Sequence, residues 1–405
     1  MTFTASPFRR FRRDENGSAA MMFGLALIPL CLIGGAALDY ARGAREKAAL
    51  NSALDATALA AAQDARRFTE SELRRRAQAY FAAAYAAQGG SGAPTVTLNL
   101  DAATKRLSVS AAHAVPTTLM KIGGTDEMRI GSATTVSYGS PNIEVALVLD
   151  NTGSMGWDNK MDALQVAASN FINQLASKAR APGEIKVSVV PFSTTVRADV
   201  SNRAAPWLSY ESGLASADWT GCIADRAKPS DVTAAPGALY PAVACPTSET
   251  NLARMIGLSD VSDATRRAAL LDRIASLTPT GATNITIGLS WGMTSLTPGS
   301  QLPGAAAMAS DVKKFVVLLT DGDNTQNGFG DLTPEIDART RLACASIKAN
   351  RNVTLYTIRV IAGNAALLRA CASSPDKYYE AANAAGIQPA FQAILNSILS
   401  IRITS

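Results

Sequence analysis

Polar side chains follow an apolar run near the middle of this chain. The segment IEVALVLDNTGSM, residues 143–155, reads as a buried strand that ends on Asp150, and two hydroxyls follow at Thr152 and Ser154. Alternate residues of an extended segment point the same way, so these three side chains can face one point. Oxygen donors of this kind suit a hard cation, which would also offset the cost of placing a carboxylate in a partly dry crevice. The segment therefore predicts a metal-ligating loop at the end of a strand.

Two later segments offer the same kind of donor. FVVLLTDGDN ends a second apolar run on Asp321, with Asp323 close behind, and TPTGATNITIGLSWGM places Thr283 at the start of a helix. In open parallel sheets ligands bind outside the carboxyl ends of the strands, so the three loops are expected to share one rim. Carboxylates and hydroxyls without imidazole or thiolate favour Mg²⁺, and Mn²⁺ or Ca²⁺ are alternatives. The predicted metal site is Asp150, Thr152, Ser154, Thr283 and Asp321.

The elements that must position these loops alternate along the second half of the chain. Apolar strands are predicted at IEVALVL, IKVSVVPF, KFVVLLT and VTLYTIRVI, and helices near residues 160–178, 263–276, 284–293, 334–349 and 389–400. Near-continuous apolar strands that alternate with helices indicate an α/β fold with a mainly parallel sheet covered on both faces. The segment at about 201–260 is rich in Ala, Pro and Ser and breaks this pattern, which indicates an insertion.

Composition limits the functions that the chain can have. It has 405 residues, of which 47% are hydrophobic and 18% charged, and this length suggests two or three folded domains. His113 is the single histidine, which leaves almost nothing for a His-based triad or a multi-His metal site. Part of the formal charge of +5 comes from four arginines among the first thirteen residues. Nucleic acid is therefore not expected as a partner.

An uncharged stretch follows those arginines. Residues 17–38, GSAAMMFGLALIPLCLIGGAAL, match the roughly 20 apolar residues that a bilayer-spanning helix needs. A signal peptide is the alternative, but its apolar core would be shorter and followed by a small-residue cleavage site. The positive-inside rule places residues 1–16 in the cytoplasm and the bulk of the protein outside it. We therefore predict a single-pass protein of the inner, or cytoplasmic, membrane.

Beyond the span, residues 39–140 are expected to form a long helix against a small sheet. The Ala-rich, Pro-free sequence after Asp39 continues the spanning helix outward, and a second helix is predicted at 71–87. The alternating segments TVTLNL, RLSVSAAHAV and MRIGSATTVSY read as three strands. Residues 141–405 would then form the α/β domain with its insertion.

Four of the five cysteines lie outside the span, an even number in a compartment where disulfides persist. Four cysteines allow three connectivities, and the pairs that are close in sequence are favoured, Cys222 with Cys245 and Cys344 with Cys371. Free buried thiols are the alternative. Neither arrangement suggests a zinc site, because the sequence has no CxxC pair and no His cluster.

The three loop motifs resemble a known family. DNTGS, GATN and TDG, in this order on strand ends, are similar to the metal-ion-dependent adhesion site of von Willebrand factor type A domains, whose first motif is Asp-x-Ser-x-Ser. The resemblance implies a Rossmann-like domain in which Thr152, Ser154 and Thr283 ligate the metal, while Asp150 and Asp321 act directly or through water. An acidic side chain of a partner would fill the open coordination position. Thr152 stands where serine is commoner, but the hydroxyl is kept.

The N-terminal part resembles a second family. NGSAAMMFGLALIPLCLIGGAALDYARGAREKAALNSALDATALAAA is similar to the start of TadE/TadG-like proteins of the tight-adherence (Flp) pilus assembly system, whose TadG branch joins this anchor to a type A domain. The resemblance implies a pilin-like α+β region, a non-enzymatic role, and other pilus assembly or secretion components as partners. Met22 stands where prepilin processing would want a glutamate, so we expect the anchor to remain uncut.

Other interpretations of the same motifs stay open. DNTGS also resembles the phosphorylated Asp-Lys-Thr-Gly-Thr motif of P-type ATPases and haloacid dehalogenase-like enzymes, in which Asp150 would be a nucleophile, although the lysine is missing here. An envelope adhesin with the same domain but no pilus role is a second alternative. The third is that these residues act only as strand-end caps and turn formers.

Overall fold

Two units make up the part of the chain that the computed structural model describes, which is residues 18–65, 67–101, 105–138, 142–307 and 312–404. The boundary between the units falls between residues 139 and 140. Each unit has a hydrophobic core of its own. The basic cytoplasmic segment predicted at 1–16 lies outside the described residues.

The N-terminal unit packs two helices against a three-stranded antiparallel sheet. Its elements are α1 (Ser18–Asp64), α2 (Glu70–Ala87), β1 (Thr95–Asp101), β2 (Arg106–Pro116) and β3 (Glu127–Ser137), with β2 in the middle of the sheet. The side chain of Thr69 accepts a hydrogen bond from the backbone N–H of Glu72 and so caps the start of α2. The buried side chains of Leu54, Leu73 and Leu107 join the three layers of the core. The predicted long helix, second helix and three strands are confirmed.

The two halves of α1 differ in their surroundings. The large apolar side chains from Met21 to Leu38 are 38–73% exposed, whereas Leu50 and Leu54 are fully buried. The apolar half of α1, from Met21 to Leu38, has a mean hydropathy of 2.2, so by length and composition α1 can cross a membrane. The helix therefore changes from an exposed apolar rod to a packed core element without an interruption.

The C-terminal unit is a sheet with helices on both faces. Its strands are β4 (Asn142–Asp150), β5 (Ile185–Phe192), β6 (Val196–Arg197), β7 (Leu208–Tyr210), β8 (Cys222–Ile223), β9 (Tyr240–Ala242), β10 (Ile256–Asp260), β11 (Val312–Thr320), β12 (Val353–Val360) and β13 (Tyr378–Ala381). Its helices are α3 (Lys160–Lys178), α4 (Ala264–Ala275), α5 (Ile285–Ser295), α6 (Thr333–Ala349), α7 (Ala365–Cys371) and α8 (Ile387–Thr404). The central strands are parallel and follow the order β13-β12-β11-β4-β5. The predicted α/β fold is confirmed.

Alternate residues of β4 face two different helical layers, as expected for a strand that is buried on both sides. Leu147 packs towards α3, α4 and α8, whereas Val148 packs towards α5, α6 and α7. Helix α5 lies directly on the sheet because two of its residues have no side chain. A Cβ on Gly292 would lie 2.5 Å from Val148 Cγ2, and one on Gly288 would lie 2.7 Å from Phe192 Cδ1. This close packing fixes the start of α5, which Thr283 precedes.

The insertion contains more regular structure than its sequence indicated. Strands β7, β8 and β9 lie within it and, with β6, extend the sheet beyond β5, while β10 pairs antiparallel with β5. These strands have two to five residues, too few to show a periodic pattern. The short elements α7 and β13 were not predicted for the same reason. Both favoured disulfides are confirmed, Cys222 with Cys245 and Cys344 with Cys371.

Candidate metal centre

Asp150 and Asp321 leave the sheet at the same edge. Strands β4 and β11 pair in parallel with Leu149 opposite Leu319, so Asp150 comes level with Thr320. The Thr320 hydroxyl donates a hydrogen bond to Asp150 Oδ2 at 2.5 Å, and the Thr152 backbone N–H donates to Asp150 Oδ1 at 2.8 Å. Strand β4 has β5 on one side and β11 on the other, so the connections from the carboxyl ends of neighbouring strands run to opposite sides at this edge. Sheets of this type bind ligands at such a point.

A chain of hydroxyls links the first loop to Asp321. Thr152 Oγ1 and Ser154 Oγ are 3.0 Å apart, and Ser154 Oγ donates a hydrogen bond to Asp321 Oδ1 at 2.6 Å. Gly322 lies between Thr283 and these hydroxyls, since a Cβ on Gly322 would be 3.2 Å from Thr283 Oγ1 and 3.7 Å from Ser154 Oγ. The structure therefore brings the three predicted loops together at one edge of the sheet.

The side chains at this edge are mostly buried. Asp150 is fully buried, Thr152 and Asp321 are 1% exposed, and Thr283 is 4% exposed, whereas Ser154 is partly exposed, so the cluster reaches solvent at Ser154. Asp323 is exposed. Within the described residues no three His, Cys, Asp or Glu side chains are grouped to hold a metal ion, so a cation here would depend on the hydroxyls as well as the two carboxylates.

The electrostatics of the two carboxylates favour a cation. Burial and, after it, the nearby charge of Asp321 raise the pKa of Asp150 to about 6, against the hydrogen bonds from Thr152 and Thr320 that lower it. A divalent ion beside the pair would reverse both of the effects that disfavour the ionised form. The donor set of two carboxylates and three hydroxyls therefore fits a hard divalent cation.

Lys160 is a member of this cluster that the sequence analysis missed. Its Nζ forms an ion pair with Asp321 Oδ2, and the two side chains are 5% and 0% exposed. Lys160 is the first residue of α3 and follows Asp158 and Asn159, which both have positive φ and turn the chain back towards the edge. The signal was a charged residue opening an otherwise amphipathic helix ten residues after Asp150. One oxygen of Asp321 faces Ser154 and the other faces this ammonium group.

The loop that carries Thr283 is attached to its neighbours by side-chain hydrogen bonds. The Thr283 backbone N–H donates to Thr325 Oγ1 at 2.9 Å, in the loop that follows Asp321. Asn284 caps α5 and also donates from Nδ2 to Asp225 Oδ2 at 2.8 Å. Asp225 belongs to the insertion, so the insertion helps to hold the start of α5 in place.

Glu249, a second acid of the insertion, also stabilises this edge of the sheet. Glu249 is fully buried and accepts hydrogen bonds from Ser193 Oγ, from the backbone N–H groups of Thr194 and Thr195, and from Thr195 Oγ1. Gly281, at φ +69°, packs against this carboxylate so closely that a Cβ would clash with it. Glu249 thus fixes both the end of β5 and the turn before Thr283.

Glu249→Gln is expected to destabilise the C-terminal unit by about 1–3 kcal/mol, because an amide NH₂ would face donors where a carboxylate oxygen now accepts. All four tryptophans, Trp157, Trp207, Trp219 and Trp291, belong to this unit, so intrinsic tryptophan fluorescence of the full chain in detergent reports its thermal unfolding. The matched control is Glu211→Gln, an exposed acid of the insertion that accepts one backbone hydrogen bond, from Ala244. Equal melting of the two variants would contradict the role given to Glu249.

Two family models match the sequence. Residues 17–64 match the Flp pilus-assembly TadE/G-like family, and residues 249–393 match the von Willebrand factor type A domain. The two matches follow each other in the order that the sequence motifs predict, a TadE/G-like segment first and a von Willebrand factor type A segment second. The second match includes Thr283 and Asp321 and begins after the first loop, but β4, which carries Asp150, lies at the centre of the same sheet. No curated protein matches the sequence.

Several solved structures are similar to this chain. The pilus adhesin SpaC from Lactobacillus rhamnosus GG is 13% identical with a TM-score of 0.41, over 76% of this chain and 34% of SpaC. The von Willebrand factor domain of the type V pili tip protein Mfa5 from Porphyromonas gingivalis is 12% identical with a TM-score of 0.40, over 65% of this chain and 97% of Mfa5. Proximal thread matrix protein 1 from the mussel byssus, with a zinc-occupied adhesion-site motif, is 16% identical with a TM-score of 0.35, over 65% and 46%. This chain thus spans about a third of SpaC.

Proposed function

We propose that this protein is a membrane-anchored, extracytoplasmic component of an Flp pilus assembly and secretion system, of the TadG branch, that binds a partner protein through a metal-ion-dependent adhesion site. The observation that carries the proposal is the meeting of three separate loops, with their carboxylates and hydroxyls, at the edge between β4 and β11. The TadE/G-like match supports the pilus system, and the type A domain match supports protein binding without enzymatic activity.

In this proposal Thr152, Ser154 and Thr283 would ligate the ion with their hydroxyls, and Asp150 and Asp321 would ligate it directly or through water. Mg²⁺ suits few carboxylates with water in the remaining positions, and Mn²⁺ or Ca²⁺ would use the same donors. When bound, the ion would supply an electrophilic position that an acidic side chain of the partner can fill. The partly exposed Ser154 marks the side from which the partner would approach.

The anchor is assigned to the inner membrane, with a cytoplasmic N-terminus and both units outside the cytoplasm. Helix α1 runs unbroken from its exposed apolar half into the packed half that carries Leu50, so cleavage after the apolar half would cut through a continuous helix. This favours an anchor over a signal peptide. Two disulfides also suit an extracytoplasmic compartment.

The phosphotransfer alternative gains no support from the surroundings of Asp150. An attacking carboxylate must reach its substrate, but Asp150 is fully buried and both of its oxygens accept hydrogen bonds. Asn151 occupies the place of the lysine in the phosphorylated motif. An adhesin without a pilus role would use the same site, and only its partner would tell it from the proposed protein.

Ser154→Ala is expected to remove the Mg²⁺-dependent partner from the protein while leaving the fold intact, because Ser154 is partly exposed and the variant loses only the hydrogen bonds with Asp321 and Thr152. The measurement is a crosslinking pull-down from native membranes with Mg²⁺ and with chelator, followed by identification of captured pilus or secretion components. The matched control is Ser177→Ala, because the Ser177 hydroxyl donates its hydrogen bond within α3, to the carbonyl oxygen of Gln174. Capture that is unchanged by chelator and by Ser154→Ala would overturn the proposed adhesion site.

A further inference from the structure

The loop between β2 and β3, residues 117–124, is bound to the end of the apolar half of α1. Asp39, directly after the predicted span, is only 4% exposed. Its Oδ2 accepts hydrogen bonds from the backbone N–H groups of Thr118 at 3.0 Å, Leu119 at 2.7 Å and Met120 at 2.8 Å. Three charge-assisted hydrogen bonds to one carboxylate oxygen fix the position of this loop along the axis of α1.

The same loop extends back along the apolar half. Leu119 packs on Gly35 so closely that a Cβ on Gly35 would lie 2.5 Å from Leu119 Cβ. Gly35 precedes Asp39 by four residues, which corresponds to about 6 Å along an α-helix. On either side of Gly35, Ile33 is 68% exposed and Leu38 is 60% exposed. Leu119 therefore lies beside apolar helix surface that the rest of the N-terminal unit does not cover.

The exposed residues of the loop are of the kind found at membrane surfaces. Ile122 is 73% exposed, and the neighbouring Lys121 side chain is 68% exposed. Tyr40, at the same level of α1 as Asp39, is 69% exposed. Tyrosine is enriched at the membrane–water boundary, and a lysine beside apolar side chains can reach the headgroups while they enter the acyl region. The described part of the N-terminal unit thus leaves most of the Ile122 side chain uncovered.

We propose that residues 117–124 form an interfacial loop that inserts Ile122 into the outer boundary of the bilayer spanned by α1, with Lys121 at the lipid headgroups. The occupant of this apolar surface is lipid, because the loop is attached to the last turn of the apolar helix and shares its exposed surface. The loop would give the single span a second contact with the membrane and so limit its tilt and rotation. This inference rests on the proposed anchor and is independent of the metal centre.

Three positions of the N-terminal unit separate this inference from the anchor itself. In a Cys31→Ser background, which removes the free cysteine, Ile122→Cys, Leu25→Cys and Leu59→Cys are each labelled with an environment-sensitive fluorophore. Leu25 reports the span, and Leu59, 63% exposed on the same helix 21 residues beyond Leu38, reports water. The full chain is reconstituted in nanodiscs of phosphatidylethanolamine and phosphatidylglycerol, alone or with lipids that carry a quencher either near the headgroup, which tests Ile122, or on the acyl chain, which tests Leu25.

The interfacial loop predicts blue-shifted emission and loss of fluorescence with the quencher lipid at Ile122, as expected about 5–10 Å into the boundary, with no loss at Leu59. Quenching at Leu25 together with water-like emission at Ile122 would overturn the inference and leave the anchor in place. Blue-shifted emission at Ile122 that the quencher lipid does not reduce would point to protein as the occupant and also overturn it. Absence of quenching at Leu25 would remove the anchor, and the inference with it.

Discussion

Lys160→Met is expected to lower the stability of the metal-free C-terminal unit by about 3–5 kcal/mol, the usual effect of removing one partner of a buried ion pair. The Lys160 and Asp321 side chains are 5% and 0% exposed, so neither water nor salt can replace the lost ammonium group. Asp321 would then stand unpaired in the same crevice as Asp150, whose pKa burial already raises to about 6. The metal-free site would thus hold two carboxylates without a counter-charge.

The same substitution is expected to strengthen Mg²⁺ binding at least about tenfold. The ammonium group and a metal ion would both be attracted to Asp321 and would repel each other, and unit charges about 4 Å apart interact by about 4 kcal/mol at an effective dielectric constant of 20. Removing the positive side chain leaves the ion as the single counter-charge of the pair. The difference in melting temperature between Mg²⁺ and chelator should therefore be larger in Lys160→Met than in the unchanged protein.

Tryptophan fluorescence melts of the full chain, with Mg²⁺ and with chelator, measure both effects. The matched control is Lys314→Met, because Lys314 is also fully buried and its Nζ bonds Glu144 Oε2 at 2.7 Å at the opposite end of β11. That variant should lose stability to the same degree with and without Mg²⁺. If both variants respond alike to Mg²⁺, Lys160 does not compete with a cation at Asp321.

The parts of the fold that carry a long apolar pattern could be predicted from the sequence. The sequence predicts a helix at 160–178, and α3 forms at Lys160–Lys178, because its apolar residues recur on one face. Strand β5 forms where IKVSVVPF indicates, because burial on both faces of a strand leaves a continuous apolar run. The three loops of the metal centre could be placed together because parallel strands end at a common edge. For Asp150 and Asp321 the only further requirement is that β4 and β11 are neighbours, which the structure provides.

The residues that tune the site could not be predicted, because their roles depend on partners distant in the sequence. Lys160 reads as an ordinary first-turn residue of a helix until α3 is placed beside Asp321, 161 residues further on. Glu249 and Asp225 lie in the insertion, whose short strands have no periodic pattern, and their hydrogen bonds reach Ser193 and Asn284. Acids in such a segment are usually exposed, and only the packed structure identifies these two as buried supports.

Asp225 gives the second large expected effect, which depends on pH. Asp225 is 6% exposed, and burial, with a smaller contribution from Asp231, raises its pKa to about 6 from an ordinary 3.8. The hydrogen bonds from Gly328 N–H and Asn284 Nδ2 lower the pKa but do not compensate. A raised folded-state pKa means that the folded protein binds the proton more tightly than the unfolded chain. Stability therefore falls as pH rises from about 4 to about 6, by about 3 kcal/mol in total.

Asp225→Asn is expected to remove this loss, because the amide stays neutral and its oxygen can still accept from Gly328 and Asn284. Near pH 4 the variant should melt at a temperature close to that of the unchanged protein, and by pH 7.5 it should melt at a higher one, so that the difference in melting temperature grows across the window.

Melts in chelator keep the contribution of Asp150 equal in both proteins. Asp376→Asn is the control, since Asp376 is exposed and an ion pair with Lys377 lowers its pKa to about 2, below the window. A difference that stays constant or shrinks between pH 4 and 7.5 would mean that Asp225 is not held in its charged form against burial, and its place beneath the Thr283 loop would then rest on hydrogen bonding alone.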